Sequence, residues 1–185
     1  MVSLTDLWLP IVLSAVFVFV ASSIMHLVLT YHRKDYGKLE AEADVLEAIR
    51  NAGVKPGDYS FPCPENPKDM NSPEMLAKYN EGPVGIMTVL PTGPPAMGKS
   101  LVQWFIYSLV VGVFVAYLTG RTVSADAHYL AVFRVAGASA FLGYSVALVQ
   151  DSIWKGQNWV TTIKHVLDGF VFALLTAGCF GWLWP

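Results

Sequence analysis

YLAVFRVAGASAFLGYSVALVQ, residues 129–150, is the stretch on which the reading of the whole chain turns. A helix rising 1.5 Å per residue needs about 20 predominantly apolar residues to cross a hydrocarbon core of roughly 30 Å. This stretch meets that requirement with one charge, Arg134. Small residues recur along it at four-residue spacing: Ala136 and Ala140, Ser139 and Gly143, then Ala147. In lipid, helices associate through close packing and not through water exclusion, so small-xxx-small spacing marks a face where two backbones approach. The stretch is therefore expected to be a central helix of a membrane bundle.

Three further apolar runs flank it: 7–31, 101–119 and 166–184. Two of them carry the same stripe, at Gly112, Ala116 and Gly120, and at Ala173, Ala177 and Gly181. The expected fold is an all-α integral membrane protein. It has a transmembrane helix within 1–31, a Pro-rich cytoplasmic loop over 32–100, and a three-helix transmembrane bundle over 101–185 built from 101–119, 129–150 and 166–184. The first run is bulky on all sides through Val12, Val16, Phe17, Val18, Phe19 and Val20. That places it at the edge of the bundle, facing lipid. It is too long for the core of a signal peptide, and its amino-terminal flank holds an acid and no Lys or Arg.

The loop has two parts. Residues 38–52 carry a helical pattern, with Leu39, Ala43, Leu46 and Ile49 on one face and charges elsewhere. Residues 56–95 hold nine of the eleven prolines. Pro62, Pro64 and Pro67 forbid regular helix locally. Ser72 followed by Pro73 predicts a short helix start. Val84 to Leu90 has strand character but no recognisable partner, and is expected to lie against a surface.

Charge sets orientation. Arg33, Lys34, Lys38, Lys99, Lys155 and Lys164 all flank one side, whereas Arg121 falls on the other. Positive residues beside spans stay in the cytoplasm. Both termini are then outside, and the short outer loops favour a bacterial inner membrane. The net charge of −2 and the lack of a basic block leave nucleic acid no electrostatic footprint. The two cysteines form no metal-binding spacing.

GPPAMGKS at 93–100 matches the phosphate-loop pattern letter for letter. That loop works by aiming backbone N–H groups at phosphates between a strand and a helix. Pro94 and Pro95 have no N–H, and the helix that follows is a membrane span. No nucleotide is expected; Lys99 anchors at the headgroups and Ser100 caps the second span.

The remaining candidates are intramembrane polar groups: Arg134, Asp168 and His26. Charge inside a membrane is a functional candidate by default. Depth argues against an Arg134–Asp168 pair. Arg134 lies about 7 Å in from the outer surface and Asp168 about 3 Å in from the inner one, roughly 20 Å apart along the normal. Arg134 is expected to reach outward to Asp126, Asp6 or the terminal carboxylate of Pro185, and Asp168 to meet Lys164 one turn earlier. His26 and His165 share an inner-leaflet depth and are the candidates for a b-type haem or a quinone pocket. His32 and His128 sit on opposite sides and join no site in this reading.

The expected function is a non-enzymatic small subunit or scaffold of a membrane assembly, partnered by another membrane protein or by its own copies. It needs no cofactor and no catalytic residue or metal. A small transporter or ion-pathway protein is the alternative, and a membrane redox protein the second. A transporter needs polar groups at mid-membrane, where these helices offer mainly Ser14, Ser108, Ser139 and Thr176.

Overall fold

The computed structural model describes all of residues 1–185. In chain order the elements are α1 (Trp8–Ser23), a π-helical turn (Ile24–Val28), α2 (Glu42–Asn51), β1 (Gly57–Phe61), a 3-10 turn (Pro67–Asn71), α3 (Pro73–Glu81), β2 (Gly85–Val89), α4 (Met97–Thr122), α5 (Tyr129–Tyr144), a second 3-10 turn (Val146–Leu148), α6 (Val149–Lys155) and α7 (Trp159–Trp182). The chain is 65% helical. Four segments are long and apolar enough to cross a membrane: Trp8–Val28, Met97–Thr122, Tyr129–Lys155 and Trp159–Trp182. The chain divides into two units, one of Met1–Tyr36 with Ala96–Pro185 and one of Gly37–Pro95.

In the first unit α1 and α5 each pack against both α4 and α7, so the four helices close a ring. The first helix is thus a full member of the bundle and not an outlier at its edge. The reason lies in one face of α1. Pro10, Ser14, Val18 and Ser22 recur every four residues and are buried, with Ala15 beside them. This is a small-residue stripe like the other three, concealed in the sequence because two of its members are serines. Their hydroxyls donate to carbonyls of their own helix, Ser14 to Ile11 and Ser22 to Phe19, so they pack without an unmet bond.

Other stripes meet their neighbours at short range. Gly112 faces Ile11, Gly143 faces Val111, Gly181 faces the Tyr129 ring, and Gly120 faces the Val2 carbonyl. Ala116, Ala136, Ala140, Ala173 and Ala177 are all buried. Ala147 is not: it is exposed, because the helix expected to run unbroken over 129–150 stops at Tyr144. Ser145 leaves the helical conformation, and the turn that follows shifts later residues out of register. The Ser145 hydroxyl donates to the Val166 carbonyl of α7 at 3.2 Å. A Cβ on Gly169 would lie 2.2 Å from that hydroxyl and 2.9 Å from the Tyr144 carbonyl, so only glycine lets α7 pass the break.

α7 begins at Trp159, where Asn158 caps it by accepting from the Val160 N–H, rather than near residue 166. Asp168 therefore lies about 13 Å along the helix from its first residue and not at its edge. α4 likewise begins at Met97, which places Lys99 and Ser100 inside the helix; its N-cap is Ala96, and Ser100 does not cap it.

The second unit is not all helical. β1 and β2 pair antiparallel with Tyr59 opposite Met87, and the Thr88 hydroxyl donates to Asp58 across the pair. The partner strand was hidden because it spans five residues between Pro56 and Pro62. α3 starts as its sequence implies, with Ser72 accepting from the Met75 N–H and Pro73 at the first position.

Crowding at Gly169 has a measurable consequence. Gly169→Ala should lower unfolding stability in detergent by about 1–3 kcal/mol, the usual range for overpacking. Gly178→Ala, with nothing within 4 Å of the added Cβ, should be neutral or stabilising. Thermal unfolding of the two variants side by side checks both.

Candidate functional site

The end of the bundle where α1 finishes and α7 begins gathers a cluster of ionisable groups. Two local features bring them there. First, α1 ends in the π-helical turn Ile24–Val28, and π turns are frequent where a side chain must be re-aimed for function. Second, Leu29 is extended (ψ 142°), and tight turns follow, with Arg33 N–H donating to the Thr30 carbonyl and Asp35 N–H to the His32 carbonyl. The chain doubles back instead of running away from the helix. Tyr31, His32 and Asp35 then face Lys164, His165 and Asp168 of α7, which share one side because residues three and four apart on a helix are neighbours.

Asp168 is the centre of the cluster and is 3% exposed. It accepts a short hydrogen bond from the Tyr31 hydroxyl through Oδ1, and its Oδ2 lies 2.8 Å from His32 Nε2. His32 Nδ1 lies 2.5 Å from Asp35 Oδ2. Lys164 Nζ donates to Asp35 Oδ1 at 2.5 Å and to the Tyr31 carbonyl at 2.7 Å. The expected Lys164–Asp168 contact is thereby replaced: Lys164 takes the second carboxylate, which the sequence reading had not placed. His165 Nδ1 stands 4.0 Å from Asp168 Oδ2. His26 contacts the Ser22 carbonyl through Nδ1 at 3.0 Å.

The three imidazoles lie together. Ring centroids are 4.5 Å apart for His26 and His32, 5.0 Å for His32 and His165, and 6.2 Å for His26 and His165. One donor atom from each of His26, His32, His165 and Asp168 falls within 4.8 Å of all the others. His32, which the sequence reading kept apart from any site, is the link between the other two histidines. A porphyrin placed between His26 and His165 would collide with the His32 ring. The space suits something the size of an ion.

The electrostatics follow from burial and pairing. Burial works to raise the Asp35 pKa, but the hydrogen bonds and positive charges of Lys164 and His32 outweigh it, and the net shift is downward. Burial raises the Tyr31 phenol above its ordinary value, and its bond to Asp168 and the charges of Asp168 and Asp35 add to the effect. Tyr31 is therefore a hydrogen-bond donor throughout the neutral range.

Other candidates stay outside the cluster. Arg134 is exposed on α5 and forms no hydrogen bond or ion pair, so the expected reach to Asp126, Asp6 or Pro185 does not occur. His128 caps α5, its Nδ1 accepting from the Leu130 N–H. The four mid-helix hydroxyls bond inward to their own helices: Ser14 to Ile11, Ser108 to Trp104, Ser139 to Val135 and Thr176 to Phe172. The GPPAMGKS segment leads into α4 without the parallel sheet that a phosphate loop needs.

Sequence reasoning named His26, His165 and Asp168 but missed Tyr31, His32 and Asp35. A signal was present. YHRKD at 31–35 and KHVLD at 164–168 both pair a His with an Asp at the same end of the bundle. Reading the first only for its positive charge concealed the match.

The lowered Asp35 pKa fixes a sign. A depressed folded pKa contributes stability that is present above the ordinary carboxylate value of about 3.9 and is lost as pH falls through the folded value. Unfolding temperature in detergent should thus be level near neutrality and fall in acid. Asp35→Asn should be less stable at neutral pH and show a shallower acid decline. A pH series of melting curves for both proteins measures this.

The chain matches no protein-family model, no curated protein and no solved structure.

Proposed function

We propose that this chain is a non-enzymatic subunit or scaffold of a membrane assembly, and that it engages a protein partner through residues 37–95. One observation carries the reading. Residues 37–95 form two helices and a strand pair, yet Met75 is their only buried residue. Val84, Ile86 and Leu90 are 63%, 51% and 73% exposed, and Phe61 and Leu76 of the same unit are also exposed. A segment of this size is marginal even with a good core, and apolar groups in this number mark an interaction surface. A protein surface satisfies such a segment by covering both the side chains and the open edges of a two-stranded sheet.

In this reading the four long helices lie in a bilayer, whose tails cover outward residues such as Phe114 and Trp182, at 63% and 70% exposure. The His/Asp cluster then belongs at the cytoplasmic boundary, on the side carrying Arg33, Lys34 and Lys99. Both termini are outside, and a bacterial inner membrane is the proposed location. A transport role has less support, because the mid-helix hydroxyls are committed to their own backbones.

Affinity purification from native membranes in mild detergent, followed by mass spectrometry, tests the proposal. The wild-type chain should bring down a stoichiometric partner. Leu90→Asp and Ile86→Asp, both at exposed positions, should lose the partner at least tenfold without lowering the amount of chain in the membrane. Recovery of a homo-oligomer with nothing else attached overturns the heteromeric reading. Partner recovery unchanged by both substitutions overturns the assigned surface.

A further inference from the structure

The geometry points to a binding site for one divalent transition-metal ion, held by His26, His32, His165 and Asp168, with zinc as the ion of best-matching chemistry. The inference is independent of the docking role proposed for residues 37–95, since every ligand lies in the other unit.

Donor type and number come first. Three imidazoles and one carboxylate make an N3O set, which suits zinc and other late first-row ions rather than calcium or magnesium. Around a tetrahedral ion, donors at 2.0–2.1 Å stand ~3.3 Å from one another. All four donors here already lie within 4.8 Å of each other, with His32 Nε2 and Asp168 Oδ2 2.8 Å apart. Side-chain movements of about an ångström complete the shell. Imidazoles on one ion splay outward, so the His26 and His32 rings, 7° from parallel, must tilt apart as it enters.

Hydrogen-bond accounting adds an independent argument. His32 sits between two carboxylates, with Asp35 on Nδ1 and Asp168 on Nε2. Ionised carboxylates only accept, so both contacts are satisfied by two protons on the ring or by one proton and a metal ion. His26 Nε2 and the His165 ring make no hydrogen bond to protein atoms; His26 is exposed, and half-buried His165 stands 4.0 Å from the Asp168 carboxylate, so both are free to take an ion. An ion would take one lone pair from each ring, using Nε2 of His26, whose Nδ1 is already engaged by the Ser22 carbonyl, beside Nε2 of His32 and a ring nitrogen of His165.

The surroundings match what metal ligands require. Ligating histidines usually donate their other ring N–H to a carbonyl or carboxylate, which fixes tautomer and orientation. His26 has the Ser22 carbonyl for this purpose, and His32 has Asp35, itself steadied by Lys164. The Tyr31 hydroxyl holds the second oxygen of Asp168. Four protein ligands close a tetrahedral shell, so the ion would be a structural clasp between the end of α1 and α7 rather than an open catalytic centre.

The test is metal analysis of the intact chain, purified with a tag that contains no histidine. Elemental analysis should find one equivalent of a first-row divalent ion per chain, with zinc dominant. Asp168→Ala and His32→Ala should each lose most of it, whereas His128→Ala should keep it. Asp35→Asn should weaken zinc affinity about 10–100-fold in competition with a chelator, through its hold on His32. Chelator-stripped wild-type chain should bind one equivalent of cobalt(II) with the intense visible bands of a tetrahedral N/O site, and zinc should displace them. That measurement stands even where a ligand variant fails to fold. Stripped, folded wild-type protein that binds neither cobalt nor zinc overturns the proposal and leaves a cluster held by protons alone. So does equal metal content in the wild-type, Asp168→Ala and His32→Ala proteins.

Discussion

A carboxylate that is 3% exposed on an apolar helix is the constraint from which this end of the bundle is built. Removing such a charge from water costs several kcal/mol unless partners replace the lost hydration. α7 cannot supply them from its own backbone, because a helix spends its carbonyls and N–H groups on itself. The partners of Asp168 come from the far end of the sequence, Tyr31 and His32. The π turn, the extended Leu29 and the tight turns after it have one shared result, which is to return those residues to α7. His32 in turn needs Asp35, and Asp35 engages Lys164. Each residue in the group settles a hydrogen-bond requirement created by the one before it.

The bundle itself is held by a different interaction, backbone approach through small residues. α1 shows how easily that signal is misread. Four-residue spacing of Gly and Ala is conspicuous in the other three spans, whereas Pro10, Ser14, Val18 and Ser22 do not look like a packing stripe until their shared face is seen buried. Serine packs much as alanine does once its hydroxyl is returned to its own helix. Val12, Val16, Phe17 and Val20 dominate the composition of α1 but face outward, whereas Phe19 packs edge-on against Phe105 of α4.

How much could be read beforehand follows from the range of each interaction. Long apolar helices depend on local composition and are legible, as are caps such as Ser72 at α3. The break after Tyr144 depends on α7 passing beside it, and nothing within residues 129–150 announces it. Strand β1 is too short to show alternation and becomes visible only when paired with β2. The site was half legible for a related reason. His26, His165 and Asp168 stand out because they interrupt apolar helices, while Tyr31, His32 and Asp35 lie in a polar segment where such residues are unremarkable. Their role depends on a chain reversal that three-dimensional packing imposes.

The contact between His32 and Asp168 joins residues 136 positions apart, one in the turns just after the first of the four long helices and the other in the last. A ribosome delivers those helices in order, and early elements begin to fold before later ones exist. For most of synthesis the end of α1 carries Tyr31, His32 and Asp35 without their counterparts. α4 and α5 can dock on the growing bundle, yet the cluster stays open until α7 has emerged. Its completion therefore requires that α7 has joined the other three long helices. A product that stops before α7 retains the earlier long helices and lacks this one closure, so its His32 and Asp35 stay without the partners that α7 supplies.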